Sequence, residues 1–146
     1  MNRRLPRMVL PLFLVLGCAA SGASFRPIES IPEGKAVVYI YRPNSLIGGG
    51  IRYHVAVGNQ RIVYLIRGGY FPYLAEPGET EFWARTEAKE TITSDFKAGE
   101  VYYLKGTVGI GLAVGRPRFE FVSQEIGAEE VAKCKLLPAA QGNASE

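Results

Sequence analysis

The sequence predicts an all-β domain, a β-sandwich or small barrel closed by one short C-terminal helix. Three observations predict it. Apolar segments recur at roughly eight-to-twelve-residue spacing with turn residues between them, the signature of short antiparallel strands. Several of these segments alternate apolar and polar residues, the period of a half-buried strand. The composition, with 17 glycines, nine prolines and 11% aromatic residues, suits short strands and many turns better than a helical bundle.

The strands are expected within residues 34–125. Lys35–Arg42 is apolar on both faces and rich in Val, Ile and Tyr, so it reads as a central strand. Asn44–Gly50 is a loop. Ile51–Val57 alternates, with Ile51, Tyr53, Val55 and Val57 inward against Arg52, His54 and Ala56. Gly58-Asn59 is a two-residue hairpin signal that returns the chain along Gln60–Ile66. Gly68-Gly69 breaks that strand. Tyr70–Leu74 follows, and Pro72 assigns it to an edge or bulged position, because proline has no amide to give to a ladder. Pro77-Gly78 is a turn. Glu79–Thr86 places Thr80, Phe82, Ala84 and Thr86 on one face. Thr91–Phe96 is short and polar, Val101–Gly106 follows the Ala98-Gly99 turn, and Phe119–Ser123 completes the sheets.

One stretch reads as helix, residues 126–137. Its centre, Ala128–Leu136, has Glu129 and Glu130 first and Lys133 and Lys135 last, as the helix macrodipole favours. The small, polar tail 138–146 is expected to be disordered.

The first 17 residues carry Arg3, Arg4 and Arg7 ahead of a short apolar run, Met8–Leu16, which is the form of a secretory signal. A run of about ten residues falls short of the roughly 20 that span a bilayer as a helix. Val15-Leu16-Gly17-Cys18 resembles the bacterial lipobox, with a small residue ahead of the cleavage point and a thiol to accept the diacylglyceryl group. The resemblance implies lipid attachment, palmitate among the possible acyl chains, at Cys18. Two chains suffice for stable anchoring, so the membrane is the first expected partner. Ala19, in place of the aspartate that retains enterobacterial lipoproteins at the inner membrane, points to the outer membrane, facing the periplasm. Residues 18–33 then form a tether, with Ile28 and Ile31 available to dock on the domain. Lipid on Cys18 leaves Cys134 without an intramolecular partner, so a buried, inert thiol is expected there.

The formal charge of +3 comes from the leader. Its removal leaves 14 basic residues against 14 acidic ones, which argues against nucleic acid as a partner.

Several ordered motifs then combine. Pro32-Glu-Gly-Lys-Ala-Val-Val-Tyr-Ile-Tyr-Arg-Pro43, Gly68-Gly-Tyr-Phe71, Pro77-Gly78, Ala98-Gly-Glu-Val-Tyr-Tyr-Leu104 and Val108-Gly-Ile-Gly-Leu-Ala-Val-Gly-Arg-Pro117 resemble bacterial lipoproteins carrying the domain of unknown function 2846. The likeness runs from Pro32 to Cys134. It implies an immunoglobulin-like or prealbumin-like β-sandwich and no activity.

Chemistry is sparsely signalled. There is one histidine, His54, and no nucleophile elbow accompanies it. The glutamates are scattered singly and suggest no metal site. No cofactor is expected: the glycine run Gly106–Pro117 lacks the Gly-Lys-Ser/Thr of a phosphate loop and ends in Arg116-Pro117 where a helix should begin. It reads instead as a flexible or bulged structural connection exposing Ile110, Leu112 and Val114, or else as a loop facing a protein or membrane partner. Alternation places Trp83 opposite Phe82 and Ala84, beside Glu81 and Arg85, where an exposed indole would offer a stacking platform for a sugar ring, unless that face packs against the second sheet, the tether or the helix. The sequence therefore favours a non-catalytic, lipid-anchored envelope domain that scaffolds or binds another envelope component. A glycan-binding module using Trp83, Glu81 and Arg85 is the alternative, and an envelope enzyme based on His54 stands third.

Overall fold

The structure, a computed structural model, describes residues 19–144; Cys18 and the leader lie outside the described residues. Nine strands and one helix follow in order: β1 (Ala36–Arg42), β2 (Tyr53–Val57), β3 (Gln60–Leu65), β4 (Gly69–Ala75), β5 (Gly78–Arg85), β6 (Lys89–Phe96), β7 (Val101–Gly109), β8 (Arg116–Val122), α1 (Gln124–Val131) and β9 (Lys135–Leu136). They form a five-stranded sheet, β8-β7-β1-β4-β9, packed on a four-stranded sheet, β3-β2-β5-β6. The all-β sandwich with one short C-terminal helix is what forms, two sheets face to face and not a barrel.

β1 is the middle strand of its sheet, antiparallel to β4 and parallel to β7. All seven of its residues are buried, which accounts for its unbroken apolar run. Ala36, Val38 and Ile40 face the other sheet and pack with Val55, Leu65, Phe82, Phe96 and Leu104. Val37, Tyr39 and Tyr41 face outward, yet they are covered by α1 and by the N-terminal segment, in a second core with Tyr70, Tyr103, Val131 and Cys134. Truncation of a residue such as Ile40 to Ala costs about 2–5 kcal/mol at a site this enclosed.

The tether is docked along its length. Phe25, Ile28 and Ile31 pack on the outer core, and Phe25 meets Tyr39 and Tyr70 edge-to-face at 5.2 and 5.0 Å. The Ile28 amide donates to the Tyr39 hydroxyl at 2.7 Å. Ser24 bridges to Lys135.

Pro72 sits where β4 has run past β9, which pairs only with Gly69 and Tyr70, so the missing amide interrupts no ladder there. Gly58, at φ 52°, makes the β2–β3 hairpin. The register shifts between Val55 and Ala56, whose partners are Val63 and Arg61, leaving Ile62 as the extra residue of a bulge.

Two expectations are corrected. The helix covers Gln124–Val131 and not 126–137: the Ser123 hydroxyl caps it by accepting the Ile126 amide, and the chain after Cys134 leaves to become β9. Lys133 pairs with Glu129 beyond the last turn, and Leu136 is a strand residue. The tail, expected to be disordered, lies along β3 over its described part. Ala139 bridges Val63, Asn143 bridges Gln60, and the Ala140 amide donates to the Ile62 carbonyl at 2.9 Å.

Candidate functional site

β1, β7 and β6–β5 all reverse at one end of the sandwich, where the loops 43–52, 66–68, 86–88 and 110–115 gather. Loop 110–115 is shorter than the glycine run suggested, because Gly106–Gly109 belongs to β7 and Arg116-Pro117 opens β8. Ile110 and Leu112 are 93% and 94% exposed, as expected. Leu46 and Ile47 on the neighbouring loop are 89% and 75% exposed. A shallow depression of about 220 Å³ joins the two loops, lined by Ile47, Ile51, Val108, Ile110 and Val114.

Charged side chains hold both loops. The Glu87 carboxylate accepts the amides of Leu112, Ala113 and Val114 at 2.8, 2.9 and 3.0 Å, and the Arg116 Nε at 3.1 Å. The Thr86 hydroxyl donates to the Gly115 carbonyl at 2.7 Å. The amides of Ala113 and Val114, more than any other group, draw the Glu87 pKa down to about 2. Close packing fixes the loop base as well: a Cβ on Gly115 would meet Val108 at 2.2 Å. On the other loop, the buried Arg42 guanidinium donates to the carbonyls of Ile51 at 2.5 Å and Gly48 at 2.6 Å. The expected flexible connection is thus a clipped one, with apolar tips on fixed backbone.

Trp83 is where alternation put it and not how. It occupies the outer face of the four-stranded sheet, paired across strands with Ala56 and Thr91, but only 6% of it is exposed. Its indole N–H donates to the Gly58 carbonyl at 2.8 Å, and the Lys89 ammonium lies 4.9 Å from the ring centroid. The N–H and one ring face are therefore taken, and the open stacking platform is not present. Glu81 and Arg85 beside it are exposed. Trp83 instead helps line an open depression of about 280 Å³ with His54, Arg61, Arg85 and Thr86. His54 stacks against Tyr64 at 4.4 Å, and burial, then the nearby Arg61 charge, hold its pKa below the ordinary histidine value.

Cys134 is a buried free thiol, as expected, with Sγ 3.7 Å from the Arg42 carbonyl and 3.6 Å from that of Glu130. Burial pushes its pKa up to about 11. Above it, the Tyr41 hydroxyl donates to Glu130 at 2.5 Å and Lys105 pairs with the same carboxylate at 2.7 Å, pinning α1 to the sheet. Among the described residues no three His, Cys, Asp or Glu side chains cluster as metal ligands would. No helix among them is long and apolar enough to cross a membrane.

Sequence reasoning missed Leu46, Ile47, Arg42 and Glu87. Leu46-Ile47 had a signal, two large apolar residues in a loop otherwise made of Asn, Ser and Gly. Glu87 had none, because its partners lie 25 to 29 residues away in the chain.

No curated protein and no solved structure matches the chain. The sequence model for proteins of unknown function (DUF2846) matches residues 32–115, from the entry to β1 through the clipped loop, and the chain belongs to that family.

Proposed function

We propose that this chain is a lipid-anchored, non-catalytic domain of the bacterial cell envelope, attached at Cys18 to the outer membrane on its periplasmic side. There it scaffolds or binds another envelope component. The observation that carries this reading is the glycine loop. Ile110 and Leu112 stand almost fully in water, Leu112 and the two residues after it on backbone held by Glu87, so covering them gains apolar burial at little cost in chain entropy. Two measurements test it. Labelled palmitate should enter the wild-type chain in its bacterial host and not the Cys18→Ser variant. Chemical cross-linking in the intact envelope should capture a partner with the wild type and lose it with Leu112→Asp. Equal capture by both would remove the loop as the contact.

A glycan-binding module is a second reading, supported by the depression beside His54, which Arg61, Arg85 and Trp83 help line. Anionic peptidoglycan fragments should then shift the amide resonances of Arg61 and Arg85, and an unchanged spectrum at saturating fragment would end that reading.

A further inference from the structure

The end of the sandwich that carries the apolar loops is also its basic end. Arg52, Arg67, Arg85, Lys89 and Arg116 lie in or beside its loops, against two acidic residues, Glu87, which is paired with Arg116, and Glu90. The opposite end has the other sign: Glu33, Glu76, Glu79, Asp95 and Glu100 stand in or beside its turns, against Lys35, Arg61 and Lys97. The chain enters the domain at the basic end, where the Ala20 amide donates to the Arg67 carbonyl at 3.1 Å. Cys18 is two residues earlier, a reach of about 7 Å.

From this coincidence we propose that the loop end is a membrane-docking face. Leu46, Ile47, Ile110 and Leu112 seat in the headgroup region of an anionic bilayer, the surrounding arginines meet lipid phosphates, and the acidic end points away. The inference rests on the envelope reading above and names what its loop surface touches. The physical fit is that of interfacial attachment, in which apolar tips enter the headgroup and acyl boundary while cations are drawn to anionic lipid. An end of the domain joined to the anchoring residue by only two residues of chain beyond Ala20 is the one the membrane meets first. Arg42 and Glu87 hold the tips in place beforehand.

The test uses residues 19–146 without lipid, which contain every strand of both sheets, and sedimentation with vesicles. Binding is expected to vesicles of phosphatidylethanolamine with phosphatidylglycerol, at least tenfold tighter than to phosphatidylcholine alone, and to weaken with salt. Ile110→Asp/Leu112→Asp and, separately, Arg52→Glu/Arg85→Glu should each reduce it at least tenfold with unchanged thermal unfolding. Ile126→Asp, an exposed apolar position on α1, should leave it intact. Absent binding, or binding that ignores phosphatidylglycerol and both double variants, overturns the inference. A chain that ignores vesicles but still loses its cross-linked partner on Leu112→Asp overturns it too and leaves the scaffold reading standing.

Discussion

The Glu87 carboxylate accepts the Ala113 amide at 2.9 Å, and with it the amides on either side, so one side chain from the β5–β6 turn sets the shape of the β7–β8 loop. Three convergent N–H donors favour the charged carboxylate. Its pKa, drawn down to about 2 from the ordinary 4.5, sets the sign of the linkage. The stabilisation is present above pH 4.5 and is lost as pH falls through 2. The amide resonances of Leu112, Ala113 and Val114 should titrate together with a midpoint near 2, while Glu87→Ala should lower their order parameters to loop-tip values at neutral pH. Amides that ignore both changes would show the loop held by packing alone.

Trp83 fluorescence distinguishes a covered indole from a stacking platform. With its N–H on Gly58 and Lys89 over the ring, emission should be blue-shifted and protected from iodide. Lys89→Ala should raise quenching without unfolding the domain. Red-shifted, freely quenched wild-type emission would contradict the burial.

The Cys134 thiol should be nearly inert in the native fold. A pKa of about 11, against 9.0 for a free thiol, lowers the thiolate fraction near neutral pH about a hundredfold. In a Cys18→Ser background a disulfide reagent at pH 8 should react at least that much more slowly with the native chain than with the unfolded one. Equal rates would mean the outer core opens readily.

Gly127 inverts the usual helix rule. Glycine to alanine inside a helix ordinarily stabilises by about 1 kcal/mol. Here an added Cβ would meet Tyr103 Cγ at 2.2 Å. Overpacking costs about 1–3 kcal/mol and wins. Gly127→Ala should lower the midpoint of denaturant unfolding, and Gly127→Ala with Tyr103→Leu should recover part of the loss.

The fold was legible where side-chain pattern decides backbone. Val37, Tyr39 and Tyr41 alternate with Val38 and Ile40 without a polar residue between them, and only a strand covered on both faces tolerates that. It was illegible where backbone pairs without pattern. Ala139 and Asn143 join β3 through main-chain bonds that their small side chains do not advertise. The helix was displaced because Lys133 and Lys135 mimic a C-terminal turn, whereas Ser123 supplies the stronger local signal, a cap with a hydrogen-bonded amide. For Trp83 alternation gave the face correctly and could say nothing of Lys89, six residues on, folding back across the ring. The apolar half of the loop site was readable as Ile110 and Leu112; the charges that fix it come from other turns and needed the fold.

The docked tether has a mechanical consequence. Its attachments follow one another along the chain, Ala20 on Arg67, Ala23 on Leu136, Phe25 between Tyr39 and Tyr70, then Ile28 on Tyr39. Load applied at the first residue reaches these bonds in turn and not all at once, so they peel at low force, whereas β1, hydrogen-bonded on both sides, must be sheared out. Residues 19–33 fully peeled span about 50 Å. The segment is therefore a reversible extension spring: slack, it lies along the outer core; pulled from residue 18, it lengthens by tens of ångströms with both sheets intact. A force ramp applied at residue 18 should record that lengthening as a low plateau before the sheets give way.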